Sequence, residues 1–160
     1  LLFTGYDLDM IALNNNFPIR ILLAEDQETD AFFIEQAFSQ CKIESEFYWV
    51  KDGQEVIDFL EASDENATSP RPDLIFLDIK MPRKDGHETL TEIKANKKFA
   101  DIPVIIMSGS QAKDDVSKAY KAQANAYVSK TNGFDDMLEF VEAVEKFWFA
   151  RARLPQQRDL

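Results

Sequence analysis

The chain has 160 residues, 45% of them apolar and 29% charged, enough for one domain with a real core and no disulfide or structural metal. A net charge of −11 excludes a nucleic-acid surface, which needs a basic patch, and no apolar run reaches the length of a membrane span. One cysteine, Cys41, makes no internal disulfide, so a reducing, cytoplasmic setting is expected, with Cys41 as a small filler near a helix end.

Residues 1–17 read as an N-terminal extension without the basic start of a signal peptide, and Met10 is a candidate initiator. From there, apolar runs of strand length alternate with segments of helical period. Ile19 to Ala24 predicts a first strand and Thr29 to Gln40 a helix, with Phe32, Phe33, Ala37 and Phe38 on its buried side. Glu46 to Val50 predicts a second strand, and Gln54 to Ala62 a helix burying Val56, Ile57 and Leu60. Ser63 to Pro72 is a loop by composition. Leu74 to Leu77 is a third strand, fully buried, followed by a turn marked by Pro82 and Gly86 and a helix from His87 to Asn96. His87 reads as a solvated residue at that helix start, and Lys94, Lys97 and Lys98 as favourable charges near its end. Val104 to Met107, Ala112 to Gln123 and Ala126 to Val128 predict strand, helix and strand. A last helix runs from about Asp135, its expected cap, to Ala150. Five strands strictly alternating with five helices predict a doubly wound parallel sheet, with ligands at the carboxyl ends of the strands.

Those ends carry the chemistry. Strand one ends in Glu25 and Asp26, strand three in Asp78, strand four in Ser108 and strand five in Lys130. Three carboxylates in one crevice repel each other, and a hard divalent cation such as Mg²⁺ relieves that. Asp26 and Asp78 are the expected direct ligands, helped by Glu25 and the backbone carbonyl of Lys80. An aspartate beside the metal can attack phosphorus, with Lys130 and the Ser108 hydroxyl neutralising the other phosphoryl oxygens.

This ordered set resembles the receiver domains of two-component response regulators. Its markers are Glu25-Asp26, Leu77-Asp78 with Met81-Pro82 and Asp85-Gly86, Met107-Ser108, and Tyr127 with Lys130. The resemblance covers about Ile19 to Phe149, gives residues 18–150 as the expected receiver domain, and implies a flavodoxin-like (βα)5 sandwich with strand order 2-1-3-4-5. It implies transfer from a histidine kinase to Asp78 with Mg²⁺, in a protein that assists its own phosphorylation and dephosphorylation and is otherwise no enzyme. Ser108 and Tyr127 match the family's switch pair, biasing a surface formed by helix four, strand five and helix five. One departure stands out. The family usually follows the lysine with proline, often cis, whereas Thr131 stands here; either a trans peptide with a repositioned loop or a strained cis bond is expected.

The tail, residues 151–160, is too short for an output domain, so output is expected to be binding or onward relay. In the last helix Met137, Val141, Val144 and Trp148 form a core stripe. Phe140, Phe147 and Phe149 are then surplus aromatics, and together with Trp148 they point to a homodimer through the last helices. The Arg71-Pro72-Asp73-Leu74 segment and the Phe147-Trp148 ending resemble regulators paired with bacterial phytochromes, which implies a light-regulated histidine kinase as partner. Two other readings remain. A pseudo-receiver would bind partners without phosphorylation. A Mg²⁺-dependent phosphohydrolase would want an acid two residues after the nucleophile, where Lys80 stands.

Overall fold

Alternate residues of the central strands face opposite ways, and both sets are apolar, so the sheet must be covered on both sides. The computed structural model describes residues 17–63 and 68–155. Most of the expected extension, part of the loop after the second helix and the end of the tail lie outside the described residues. The strands are β1 (Ile19–Ala24), β2 (Ser45–Val50), β3 (Leu74–Leu77), β4 (Val104–Ser108) and β5 (Ala126–Ser129). They pair in parallel in the order β2-β1-β3-β4-β5, as the resemblance implied. The helices are α1 (Glu28–Ser39), α2 (Gly53–Ala62), α3 (Gly86–Ala95), α4 (Lys113–Lys121) and α5 (Phe134–Val144), which continues into a π-helical turn, Glu145–Phe149.

The pleat divides the core in two. Ile21, Leu23, Leu74, Phe76, Ile105 and Met107 face α1 and α5. Leu22, Ala24, Ile75, Leu77, Val104 and Ile106 face α2, α3 and α4. Val56, Ile57 and Leu60 of α2 are buried as expected.

Four expectations are corrected by the packing. In α1 the buried residues are Ala31, Ile34, Ala37 and Phe38. This is the i, i+3, i+6/i+7 stripe of one helical face. Phe32 and Phe33 fall beside that stripe and are exposed (55% and 41%). His87 is buried, with Nε2 3.3 Å from Asp115 Oδ1 across the α3–α4 contact, so it is not a solvated helix start. Asp135 does not cap α5. The N-cap is Gly133 at φ +87°, while Asp136 accepts the Asn132 N–H at 2.8 Å.

The fourth correction concerns the interface residues. Phe149 is buried and lies 6.1 Å from the Phe38 ring; Phe140 is half-buried with its ring edge-on to Phe76 at 6.0 Å. Both belong to the core. The π turn is the cause. An α-helix returns to the same face after four residues, but the wider turn takes five. The stripe Met137, Val141, Val144 therefore ends on Phe149 rather than Trp148, which is left half-buried. Phe147 is 56% exposed and stacks edge-on against Trp148 at 5.3 Å. Within the same turn, buried Glu145 accepts the Ile43 N–H at 2.9 Å and bonds the Cys41 thiol. Burial first, and then the Glu145 charge, push that thiol up to about 12, so it stays protonated and unreactive.

Candidate functional site

Parallel strands place all their carboxyl ends on one edge, and four of them converge here. Asp78 leaves β3 with its own N–H bonded to the Ala24 carbonyl at 3.1 Å, which fixes it beside the end of β1. Its carboxylate accepts the backbone N–H groups of Ile79 and Lys80. Glu25 sits on the β1 end with its N–H bonded to the Val50 carbonyl at 3.0 Å, and its Oε1 accepts the Gln27 N–H at 3.0 Å. Glu25 and Asp78 are buried and Asp26 is half-buried. One oxygen from each of the three lies within 4.8 Å of the others, a spacing suited to a shared cation.

Lys130 closes the site. Its Nζ lies 2.7 Å from Glu25 Oε2, 3.1 Å from Asp78 Oδ2 and 3.3 Å from Asp30 Oδ2. The strand end itself delivers the lysine, because the Lys130 N–H bonds the Ser108 carbonyl at 2.9 Å. No peptide bond among the described residues is cis, so Lys130-Thr131 is trans and the lysine still reaches the crevice. The loop then turns through Gly133 in the left-handed region.

Burial pushes Glu25 up to about 7 against the pull of Lys130 and the Gln27 N–H, and the Asp78 charge adds to the rise. Burial likewise raises Asp78 above the ordinary aspartate value, opposed by Lys130 and the two backbone N–H groups. Burial works against the Lys130 ammonium, but its bonds to Glu25 and Asp78 outweigh that and raise it above the ordinary lysine value. Both carboxylates are raised chiefly because burial disfavours their charged forms, which a divalent cation held between them would stabilise.

Ser108 and Tyr127, the pair expected to act as a switch, are linked through a residue the sequence did not single out. Ser108 is buried, and its Oγ accepts the Ser110 N–H at 3.1 Å. The Tyr127 hydroxyl donates to the Ser110 carbonyl at 2.8 Å. Ser110 Oγ donates to Asp115, the same carboxylate that faces His87. Ser108 and Tyr127 are thus both tied to Ser110, one through its N–H and the other through its carbonyl. Asp30 was also missed, being a helix residue rather than a strand end. Its place four residues after Asp26, in the first turn of α1, was the available signal.

The turn after Asp78 is held from behind. Asp85 caps α3 by accepting the Glu88 N–H at 2.9 Å, and the Gly86 N–H bonds the Ile79 carbonyl at 2.8 Å. Arg83 binds Asp52 through two bonds of 2.7 and 3.1 Å, and Asp52 is also the N-cap of α2. The Asp85-Gly86 motif thus has a physical use: it caps α3 and ties its start to the backbone just after Asp78.

Residues 21–142 match the model of the response regulator receiver domain. Response regulator Rcp1 of a Synechocystis species is 36% identical over 88% of this chain and 96% of its own length. The solved structure of the Mn(2+)-bound form of Rcp1 superposes with a TM-score of 0.79 at 36% identity, covering 87% of this chain and all of that one. The structure of the phosphorylated cyanobacterial phytochrome response regulator RcpA gives 0.81 at 35% identity, over 88% of this chain and all of that one. A buried aspartate whose carboxylate accepts backbone N–H groups, an acid cluster and a shared lysine on this sheet edge agree with those likenesses, and the chain belongs to the response regulator receiver domain family.

Proposed function

We propose that this protein is a phosphoacceptor that takes a phosphoryl group from a sensor histidine kinase onto Asp78. The single observation that carries the reading is the placement of Lys130 Nζ 3.1 Å from Asp78 Oδ2, with backbone N–H groups on the same carboxylate. The carboxylate oxygen attacks phosphorus, the bond to the donor breaks, and the donor keeps its electron pair. Lys130 stands where it can meet one phosphoryl oxygen, and Ser108, once released from Ser110, another. Glu25, Asp26, Asp78 and the Lys80 backbone carbonyl are the groups that would hold Mg²⁺; the raised Glu25 and Asp78 values fit a cation there. Bound, the ion would supply charge neutralisation for the transferring group. The reading is tested by incubation with acetyl phosphate and Mg²⁺ followed by intact mass. One added phosphoryl group supports it; no addition from this or any histidine-kinase donor overturns it.

Metal binding has its own signature. The folded value of Glu25, about 7, lies above its ordinary 4.5, so its charge costs stability that appears as pH rises through that interval. A cation removes that cost only where Glu25 is ionised. Mg²⁺ therefore raises Tm, relative to a chelator, more at a pH well above 7 than at one well below. Equal shifts at both, read by scanning calorimetry, would count against Glu25 as part of the metal site.

The partner in this reading is a bacteriophytochrome-type kinase, supported by the 35% identity to a phytochrome response regulator. Signalling runs from Ser110 and Tyr127 to the surface of α4, β5 and α5. A homodimer uses Phe147, the aromatic that the π turn leaves exposed, with half-buried Trp148 edge-on beside it. Substituting an exposed anchor such as Phe147 with serine weakens a dimer by about tenfold, or roughly 1.4 kcal/mol. Sedimentation equilibrium reads this; an unchanged dimer would remove this face from the proposal.

A further inference from the structure

His87 is the chain's only histidine, and no step of the proposed transfer uses it. It is buried at the second position of α3, and its Nδ1 has no hydrogen-bond partner among the described residues. An orphaned buried nitrogen costs the fold stability, which an apolar side chain of that size would not. What the ring gains is on its other side, where Nε2 lies 3.3 Å from Asp115 Oδ1 in the first turn of α4. The Ser110 hydroxyl, and then His87, hold the Asp115 carboxyl below the usual aspartate range, so it is ionised and only accepts. Nε2 is therefore protonated and donates. The same carboxylate accepts the Ser110 hydroxyl. The Ser110 N–H reaches Ser108 Oγ at 3.1 Å, and the Ser110 carbonyl accepts the Tyr127 hydroxyl at 2.8 Å. Along α3, His87 follows Gly86, whose N–H bonds the Ile79 carbonyl one residue past Asp78. One buried ring thus joins the connection after Asp78 to the connection after Ser108.

We infer that His87 is a positioning residue for phosphoryl transfer: its bond to Asp115 steadies Ser110, which keeps the Ser108 hydroxyl engaged in the resting arrangement. The inference rests on the phosphoacceptor reading of Asp78, in which Ser108 meets a phosphoryl oxygen once released from Ser110. Transfer from acetyl phosphate forms a bond between an Asp78 oxygen and phosphorus while the bond from phosphorus to acetate breaks, and acetate leaves with the electron pair. The rate scales with the fraction of molecules in which Ser108 is free to turn. A contact that steadies the resting arrangement lowers that fraction, so cutting it raises the rate. Asp115 is partly exposed, so water replaces the lost donor and no buried charge is stranded. Losing a support that serves packing alone acts the other way, because it loosens the site or unfolds the chain. The direction of the change therefore separates the two roles.

The test measures two quantities in the full chain with Mg²⁺: the initial rate of phosphorylation by acetyl phosphate, and amide hydrogen exchange at Ser110 by NMR. The variants are His87→Leu, which fills the space without a donor, and His87→Gln, which keeps an N–H. His87→Leu is expected to raise the rate at saturating Mg²⁺ about fivefold, the worth of one hydrogen bond to a partly exposed charge. Exchange at Ser110 is expected to quicken by a similar factor, because that N–H is the one bonded to Ser108. The Mg²⁺ concentration for half-maximal rate is expected to stay parental, since the ring bonds Asp115 and none of the acid cluster. His87→Gln is expected to return rate and exchange toward the parent. A rate or an exchange that stays level or falls in His87→Leu, or a rise that His87→Gln keeps in full, overturns the inference and leaves the phosphoacceptor reading standing. Should His87→Leu not fold, Asp115→Asn is read in the same way, its neutral amide holding the Ser110 hydroxyl less strongly. If the parent takes up no phosphoryl group, the phosphoacceptor reading falls. Exchange at Ser110 then decides alone, and no quickening in His87→Leu overturns the hold on Ser108 as well.

Discussion

Asp78→Asn takes up no phosphoryl group from acetyl phosphate and, without metal, melts at a higher temperature than the parent. Asparagine keeps the shape but not the nucleophilic oxygen pair, so loss of uptake is complete by intact mass. The stability gain follows from burial, which raises the Asp78 value and so makes its ionised form a cost to the fold. The sign can be checked by pH. A carboxylate whose folded value is raised costs nothing where it is protonated in both states. The cost appears as pH climbs above the ordinary aspartate value of 3.8. The Tm advantage of the variant should therefore be clear at neutral pH and shrink toward pH values near 3.8. A variant less stable than the parent at neutral pH in chelator would mean that the Lys130 pairing outweighs desolvation.

Gly86→Ala is the most damaging small substitution expected near the site. A Cβ at Gly86 would lie 2.2 Å from the Asp78 carbonyl oxygen, 2.7 Å from Ile79 Cα and 2.9 Å from the Asp78 carbonyl carbon. All three are backbone atoms, with no flexible side-chain end to move aside. Either the α3 start retreats, breaking the Gly86–Ile79 hydrogen bond, or the Asp78 peptide shifts and takes the nucleophile out of line. Overpacking of this kind costs about 3 kcal/mol, read as a lower urea midpoint with an unchanged slope. The phosphorylation rate should also fall in the fraction that remains folded. A variant with parental midpoint and rate would show that the turn can open without moving Asp78.

Gly86 also shows how far the sequence could be read. It appeared as punctuation before a helix starting at His87, whereas Gly86 is itself the first residue of α3. That its hydrogen atom faces the backbone of Asp78 is a tertiary fact, invisible to spacing. The five strand-end residues were legible because a parallel sheet puts every carboxyl end on one edge, whatever the details of packing. Asp30 and Ser110 were not, because each reaches the site from a helix turn or a loop, through contacts set by how α1 and the β4–α4 connection sit. The misassigned faces have a similar origin. Phe32 and Phe33 are apolar by type, but the phase of α1 is set by Ala31, Ile34 and Phe38. His87 is polar by type, but the α3–α4 contact encloses it against Asp115. Where side-chain chemistry and helical phase disagree, phase decided.

The wide turn at the end of α5 has a consequence for how this chain tolerates insertion and deletion. Phe149 follows Val144 by five residues, and both are core residues. Removing one residue from the exposed part of that interval would leave Phe149 four residues after Val144, the spacing of an ordinary α-helix, still facing Phe38. The core there is indifferent to one residue of length. What changes is the outer face: Phe147 and Trp148 would be reached by a helix without the extra residue, at a different angle. A single-codon deletion there redirects the aromatic pair while keeping Phe149 on the core face, so this outer surface can diverge independently of the Asp78 crevice.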